Sequence, residues 1–199
     1  MSTDTSTDTS TDASADTTAN TSTDTNPDVR AQIEANRGIS KKLELLIPGL
    51  HGYRELEDVR AADSIVRNQV ADKLDQSKSN LEDLRTQMVS NNDFNNLTNV
   101  GSLIAQVQQM SGQVRHAQQG YSGFAANIQI NQDKLNKLYE YDYDFVASAV
   151  SLQGKTSIAY DPVAPNSVQT TLNDIANALR AFKQSWSVRM EAIENVLLK

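Results

Sequence analysis

Apolar residues recur along most of this chain at steps of three and four, the spacing of helices that bury one face. Residues 29–47 carry Ile33, Ile39, Leu43, Leu46 and Ile47 on one side of a helix and Arg30, Arg37 and Lys41 on the other. Pro48-Gly49 breaks that helix. From Tyr53 to Asn92 there is neither Gly nor Pro, which predicts one helix about 60 Å long at 1.5 Å per residue. Its apolar positions run Val66, Val70, Leu74, then Ser77, then Leu81, Leu84 and Met88. Their mean spacing of about 3.7 residues is closer to a straight helix or an 11-residue repeat than to a strict heptad.

Ser90-Asn91-Asn92-Asp93 stops this helix and supplies cap residues for the next. A regular stripe follows: Leu97, Val100, Ile104, Val107, Met110, Val114, Ala117, Tyr121, Phe124 and Ile128. Gly101 and Gly112 sit inside it, where they cost helix propensity and allow a neighbouring helix to approach closely. Gly120 and Gly123 interrupt it. Another helix begins near Asn131, with Leu135, Leu138, Phe145 and Val146 inward, and Gly154 ends it as a left-handed cap. After Pro162 and Pro165, Asn166-Ser167 reads as the N-cap of a last helix carrying Val168, Leu172, Ile175, Leu179, Phe182, Trp186, Met190, Ile193 and Leu197. Ser157–Tyr160 is the one strand candidate. The predicted fold is all-α: an elongated antiparallel helical bundle or coiled-coil hairpin, since short connections favour antiparallel neighbours.

Composition divides the chain in two. Residues 1–28 repeat Ser-Thr-Asp-Thr and contain no Lys, Arg, Leu, Ile, Val or aromatic residue. Nothing there offsets the entropy of ordering, so a disordered acidic tail is expected. Its six aspartates carry most of the formal −7, which leaves the helical domain, residues 29–199, close to neutral. The acidity therefore marks the tail and says little about the helical surface. With no Cys, disulfides and thiol chemistry are excluded. No apolar run is long enough to span a bilayer, and Met1-Ser2-Thr3-Asp4 has no signal-peptide character, so a cytoplasmic protein is expected.

Ala149 to Thr156 satisfies the loose phosphate-loop pattern, ending in Gly154-Lys155-Thr156. The chemistry needs a preceding strand, a Gly-rich turn and a following helix. Here the preceding residues read as helix and Asp161-Pro162 follows soon after, so a helix C-terminus explains the segment better. His51 and His116 stand far apart, and neither has Glu three residues before it, as a bundle di-metal site requires. No catalytic, metal or cofactor site is expected. In Tyr139-Glu140-Tyr141-Asp142-Tyr143-Asp144-Phe145, Glu140 and Asp144 share one face, Asp142 points away from them, and Tyr141 and Phe145 lie near Leu138. No basic patch suits nucleic acid.

Three stretches carry a family resemblance. They are Ile47-Pro48-Gly49 with Gly52-Tyr53, Glu57, Arg60, Asp63 and Arg67; Gly120-Tyr121-Ser122-Gly123-Phe124; and Leu138-Tyr139-Glu140-Tyr141-Asp142. Together, over roughly residues 43–150, they resemble an uncharacterised group of small bacterial helical coiled-coil proteins associated with flotillin-like (SPFH-domain) gene neighbourhoods. The resemblance implies a bacterial source and a non-enzymatic role.

Regular seams without a chemical site point to an interaction or scaffold protein, acting on a protein partner or on copies of itself. Tyr53, Arg60, Asp63, Arg67, Tyr141 and Asp142 are the candidate partner-contact residues. Glu57, Arg60, Asp63 and Arg67 are one turn apart and can form an ion-pair ladder, worth about 0.3–0.5 kcal/mol per pair on an exposed surface. The alternative is a peripheral membrane protein that lays amphipathic helix 29–47 on a bilayer.

Overall fold

The computed structural model describes residues 38–39, 41–47, 56–117, 132–157, 160 and 165–198. Among these the protein is all-helical, without a strand. A short helix α1 covers 41–46, with Gly38 and Ile39 helical just before it. Four long helices follow: α2 (Leu56–Ser90), α3 (Leu97–His116), α4 (Gln132–Thr156) and α5 (Pro165–Leu198). The acidic tail, Tyr53, His51 and the motif Gly120–Phe124 lie outside the described residues. So do Ile158 and Ala159 of the strand candidate, while Ser157 and Tyr160 are not in a strand.

The helices form two hairpins. Arg67 meets Ala117 while Asp75 meets Ser111, so α2 and α3 run antiparallel. Asp142 meets Arg189 while Lys155 approaches Asp174, so α4 and α5 do as well. The hairpins dock with α2 against α4 and α3 against α5. Asn80 of α2 reaches Thr156 of α4, and Asp63 and Asp142 converge on Arg189 at the other end, so α2 and α4 run parallel. Antiparallel pairing thus holds within each hairpin, and α2 faces α5 across the diagonal.

The buried positions explain why the helices pack this way. On α4 they include Leu138, Asp142, Phe145, Ala149, Leu152 and Thr156, flanked by Tyr139 and Val146, and on α3 Val100, Leu103, Val107, Met110 and Val114, flanked by Ser111. On α5 they include Val168, Leu172, Ile175, Leu179, Phe182, Arg189 and Ile193, with Trp186 partly buried between and Ala192 alongside. On α2 they include Asp63, Arg67, Val70, Leu74, Ser77, Leu81, Leu84 and Met88. Through each helix runs one buried line that alternates steps of four and three, which is heptad spacing, and the remaining buried residues widen it on one side. On α2 the whole series read from the sequence, Val66, Val70, Leu74, Ser77, Leu81, Leu84 and Met88, is buried, and Asp63 and Arg67 add a second line beside Val66 at its start.

Several local expectations change. Asn92, at φ 58°, is the left-handed residue that closes α2. The Asp93 N–H donates to the Met88 carbonyl at 2.9 Å and the Asn92 N–H to the Val89 carbonyl at 3.1 Å, which satisfies two orphan carbonyls of the last turn. Asn96 caps α3 without a side-chain hydrogen bond. Gly154 does not end α4 in a left-handed turn: the helix runs through it to Thr156. Pro165 itself opens α5, where its missing N–H would be unpaired anyway, so Asn166 and Ser167 lie inside the first turn.

Gly101 and Gly112 do not mediate a close approach either. A Cβ at each would meet nothing within 4 Å. Gly101→Ala and Gly112→Ala are therefore each expected to raise unfolding free energy by about 0.5–1 kcal/mol. Urea titration checks this, and a loss of stability would show that space at these glycines is used.

Candidate functional site

At the end of the bundle where α2 and α4 begin, the seam turns from apolar to charged. Arg189 of α5, 2% exposed, is among the largest fully buried side chains described. Its Nε donates to Asp142 Oδ1 of α4 at 2.6 Å, and its Nη2 to Asp63 Oδ1 of α2 at 2.7 Å. The same guanidinium lies over the Phe145 ring, 5.2 Å from its centroid. Asp63 Oδ2 accepts from Arg67 Nε at 2.9 Å, one turn along α2. Arg67 Nη1 then donates to the Ala117 carbonyl at the C-cap of α3, at 3.0 Å. Two arginines and two aspartates form a neutral set that ties together all four long helices.

The chemistry explains the residue types. Burying a charge is costly unless it is paired and hydrogen-bonded. The guanidinium fork can serve carboxylates on two helices and still stack on an aromatic face, which a lysine ammonium cannot do as well. Arg67 also places a cation beside the electronegative end of α3. Phe145 supports this layer from below, stacking on Phe182 at 5.4 Å and contacting Trp186 at 5.1 Å between ring centroids.

The candidate contact residues distribute unequally. Asp63, Arg67 and Asp142 are buried together, and their contacts described here are internal. Of the ion-pair ladder, the Asp63–Arg67 pair forms, and it lies inside the bundle, where the surface value does not apply. Tyr141 is half-buried beside this layer. Arg60 lies on α2, with its side chain outside the description, and Tyr53 is outside it altogether. Arg189 was not anticipated. Met190 was expected inward, but it is half-buried, while Arg189 takes the seam position. Strict alternation from Phe182 and Trp186 points to position 189, and that was the available signal.

A second polar cluster lies on the outside of the first hairpin. Arg115 Nη2 donates to Asp72 Oδ1 and to Asp75 Oδ2, both at 2.8 Å, and Ser111 Oγ donates to Asp75 Oδ1 at 2.6 Å. The hydrogen bond that Arg115 donates to Asp72 raises its already high pKa, so it stays cationic at any physiological pH. With Asp75 engaged by a fixed cation, Ser111 and Asp75 do not make an activated nucleophile and base. Among the described residues no group of three or more His, Cys, Asp and Glu is placed to hold a metal ion. The phosphate-loop pattern is helical throughout, with Ala149, Leu152 and Thr156 buried, which leaves no turn to cradle a phosphate.

Two surface features remain. Apolar residues of the amphipathic segment join the bundle: Leu43 and Ile47 are in the core, with Ile39 and Leu46 packed against it. At the opposite end from the charged layer, the α2–α3 turn exposes Phe94 (60%) and Val89 (46%). Val89 lines a shallow groove of about 380 Å³ with Glu82, Arg85, Thr86 and Ser90. Among the described residues no helix is long and apolar enough to cross a membrane. Comparison with family models, curated proteins and solved structures gave no match.

Proposed function

We propose that this chain is a non-enzymatic interaction protein whose bundle presents the α2–α3 tip to a helix of a protein partner. The exposure of Phe94 in the α2–α3 turn and of Val89 in the α2 groove carries this reading. Aromatic side chains on firm backbone are the usual anchors of protein interfaces, and this one follows the hydrogen-bonded close of α2. The groove residues repeat at helical steps along α2, the spacing on which another helix packs its own ridge. A bilayer is the less favoured occupant, because Leu43 and Ile47 of the amphipathic segment are already buried and Leu45 is the one large apolar side chain it exposes among the described residues.

The test begins with a photo-crosslinking amino acid in place of Phe94 in the intact chain, which identifies what touches the tip. The crosslinked protein, purified, is expected to bind the parent chain and to lose about tenfold in affinity with Phe94→Ser or Val89→Ser, the cost of removing an interface anchor. Unchanged affinity would move the contact elsewhere. A chain that stays monomeric by light scattering and yields no crosslinked protein would refute the interaction reading.

A further inference from the structure

The four seams raise a question of docking. Along α2 the inward residues beyond the charged layer include Val70, Leu74, Leu81, Leu84 and Met88, and on the second hairpin Phe145, Ala149, Leu152, Leu179 and Phe182; the seam hydroxyls of Ser77 and Thr156 each bond a carbonyl of their own helix. Apolar layers of this kind are nearly interchangeable. A second hairpin slid by one heptad, about 10 Å along the axis, would still set apolar side chains on apolar side chains. The charged layer is different. The same slide brings Arg189 opposite Val70, one heptad on from Asp63, and buries a guanidinium away from that carboxylate. Reversing the hairpin separates them as well.

We infer that the Asp63, Arg67, Asp142 and Arg189 layer is a register key, which admits one docking of the α4–α5 hairpin on the α2–α3 hairpin by penalising the others. Its strength lies in what it excludes, because a buried ion pair adds little net stability while an unpaired buried charge is severely unfavourable. The other bonds described between the hairpins are less exclusive. Asn80 with Thr156 and Ser157, Lys183 with Gln106, and Tyr160 with Asp93 are exposed or part-buried bonds, where water can replace a lost partner.

The absence of cysteine makes a direct test simple. Gln76→Cys with Gln184→Cys places the chain's only thiols on exposed positions of α2 and α5, ready for spin labels. Pulsed electron spin resonance on the otherwise unaltered chain should give one narrow distance. Two keyless versions are compared with it: Asp63→Leu, Arg67→Leu, Asp142→Leu and Arg189→Met together, and the uncharged polar set Asp63→Asn, Arg67→Gln, Asp142→Asn and Arg189→Gln. A folded keyless chain should keep its helical circular dichroism yet show a second distance population or mixed oligomers. If the apolar set does not fold, the uncharged polar set decides. A single narrow distance at the parent value, in a monomer, would overturn the inference.

Discussion

Arg189→Met is expected to destabilise the bundle by about 3–5 kcal/mol, the usual cost of breaking a buried ion pair by removing one partner. Asp142 and Asp63 would keep their burial and lose the guanidinium that now lies 2.6 and 2.7 Å away. Asp63 still has Arg67 at 2.9 Å, so Asp142 takes most of the damage. Adding Asp142→Leu to Arg189→Met should therefore recover part of the loss. Arg189→Lys should recover less than half, because one ammonium cannot reproduce the fork and the contact with Phe145. Urea unfolding followed by circular dichroism at fixed pH measures all three. A loss below about 1 kcal/mol for Arg189→Met, the range of a solvated pair, would mean that water supports this layer.

Phe145→Ala is expected to cost about 3–5 kcal/mol. Phe145 is fully buried, stacks on Phe182, meets Trp186 at a tilt, and forms the floor under Arg189. Phe145→Leu keeps most of the volume and should cost less than about 1.5 kcal/mol. Trp186 is the chain's only tryptophan, so its emission reports on this locus and should shift to the red in the alanine variant. Because Phe145 and Arg189 touch, their combined loss should depart from the sum of the single losses by 0.5 kcal/mol or more, on the usual scale of contacting pairs. Strict additivity would show that the ring and the guanidinium do not support one another.

The helices were legible in the sequence wherever apolar residues carried the period. The long segment without Gly or Pro after Tyr53 forms α2, and the stripe from Leu97 forms α3. Errors fell where one residue type supports two readings. Gly154 is tolerated within α4 because a helix near its end bears the cost, and Pro165 opens α5 because a first turn does not need its N–H. The charged layer was half legible. Asp63, Arg67 and Asp142 stood out as unusual, but a hydrophobic pattern has no place for a charge, so they were read as surface groups. Arg189 was hidden by Met190, the apolar neighbour that a search for hydrophobic residues prefers. Only the alternation of threes and fours, held without regard to residue type, puts all four charges inside.

The bond between Arg189 and Asp63 joins residues 126 positions apart in the chain. Each hairpin can form from contacts much closer in sequence, and closing longer loops costs more entropy. That bond is therefore among the last interactions to form as the chain folds and among the first lost as it unfolds. Its free energy belongs to the unfolding barrier: weakening it should shorten the lifetime of the native protein while leaving the speed of refolding nearly unchanged.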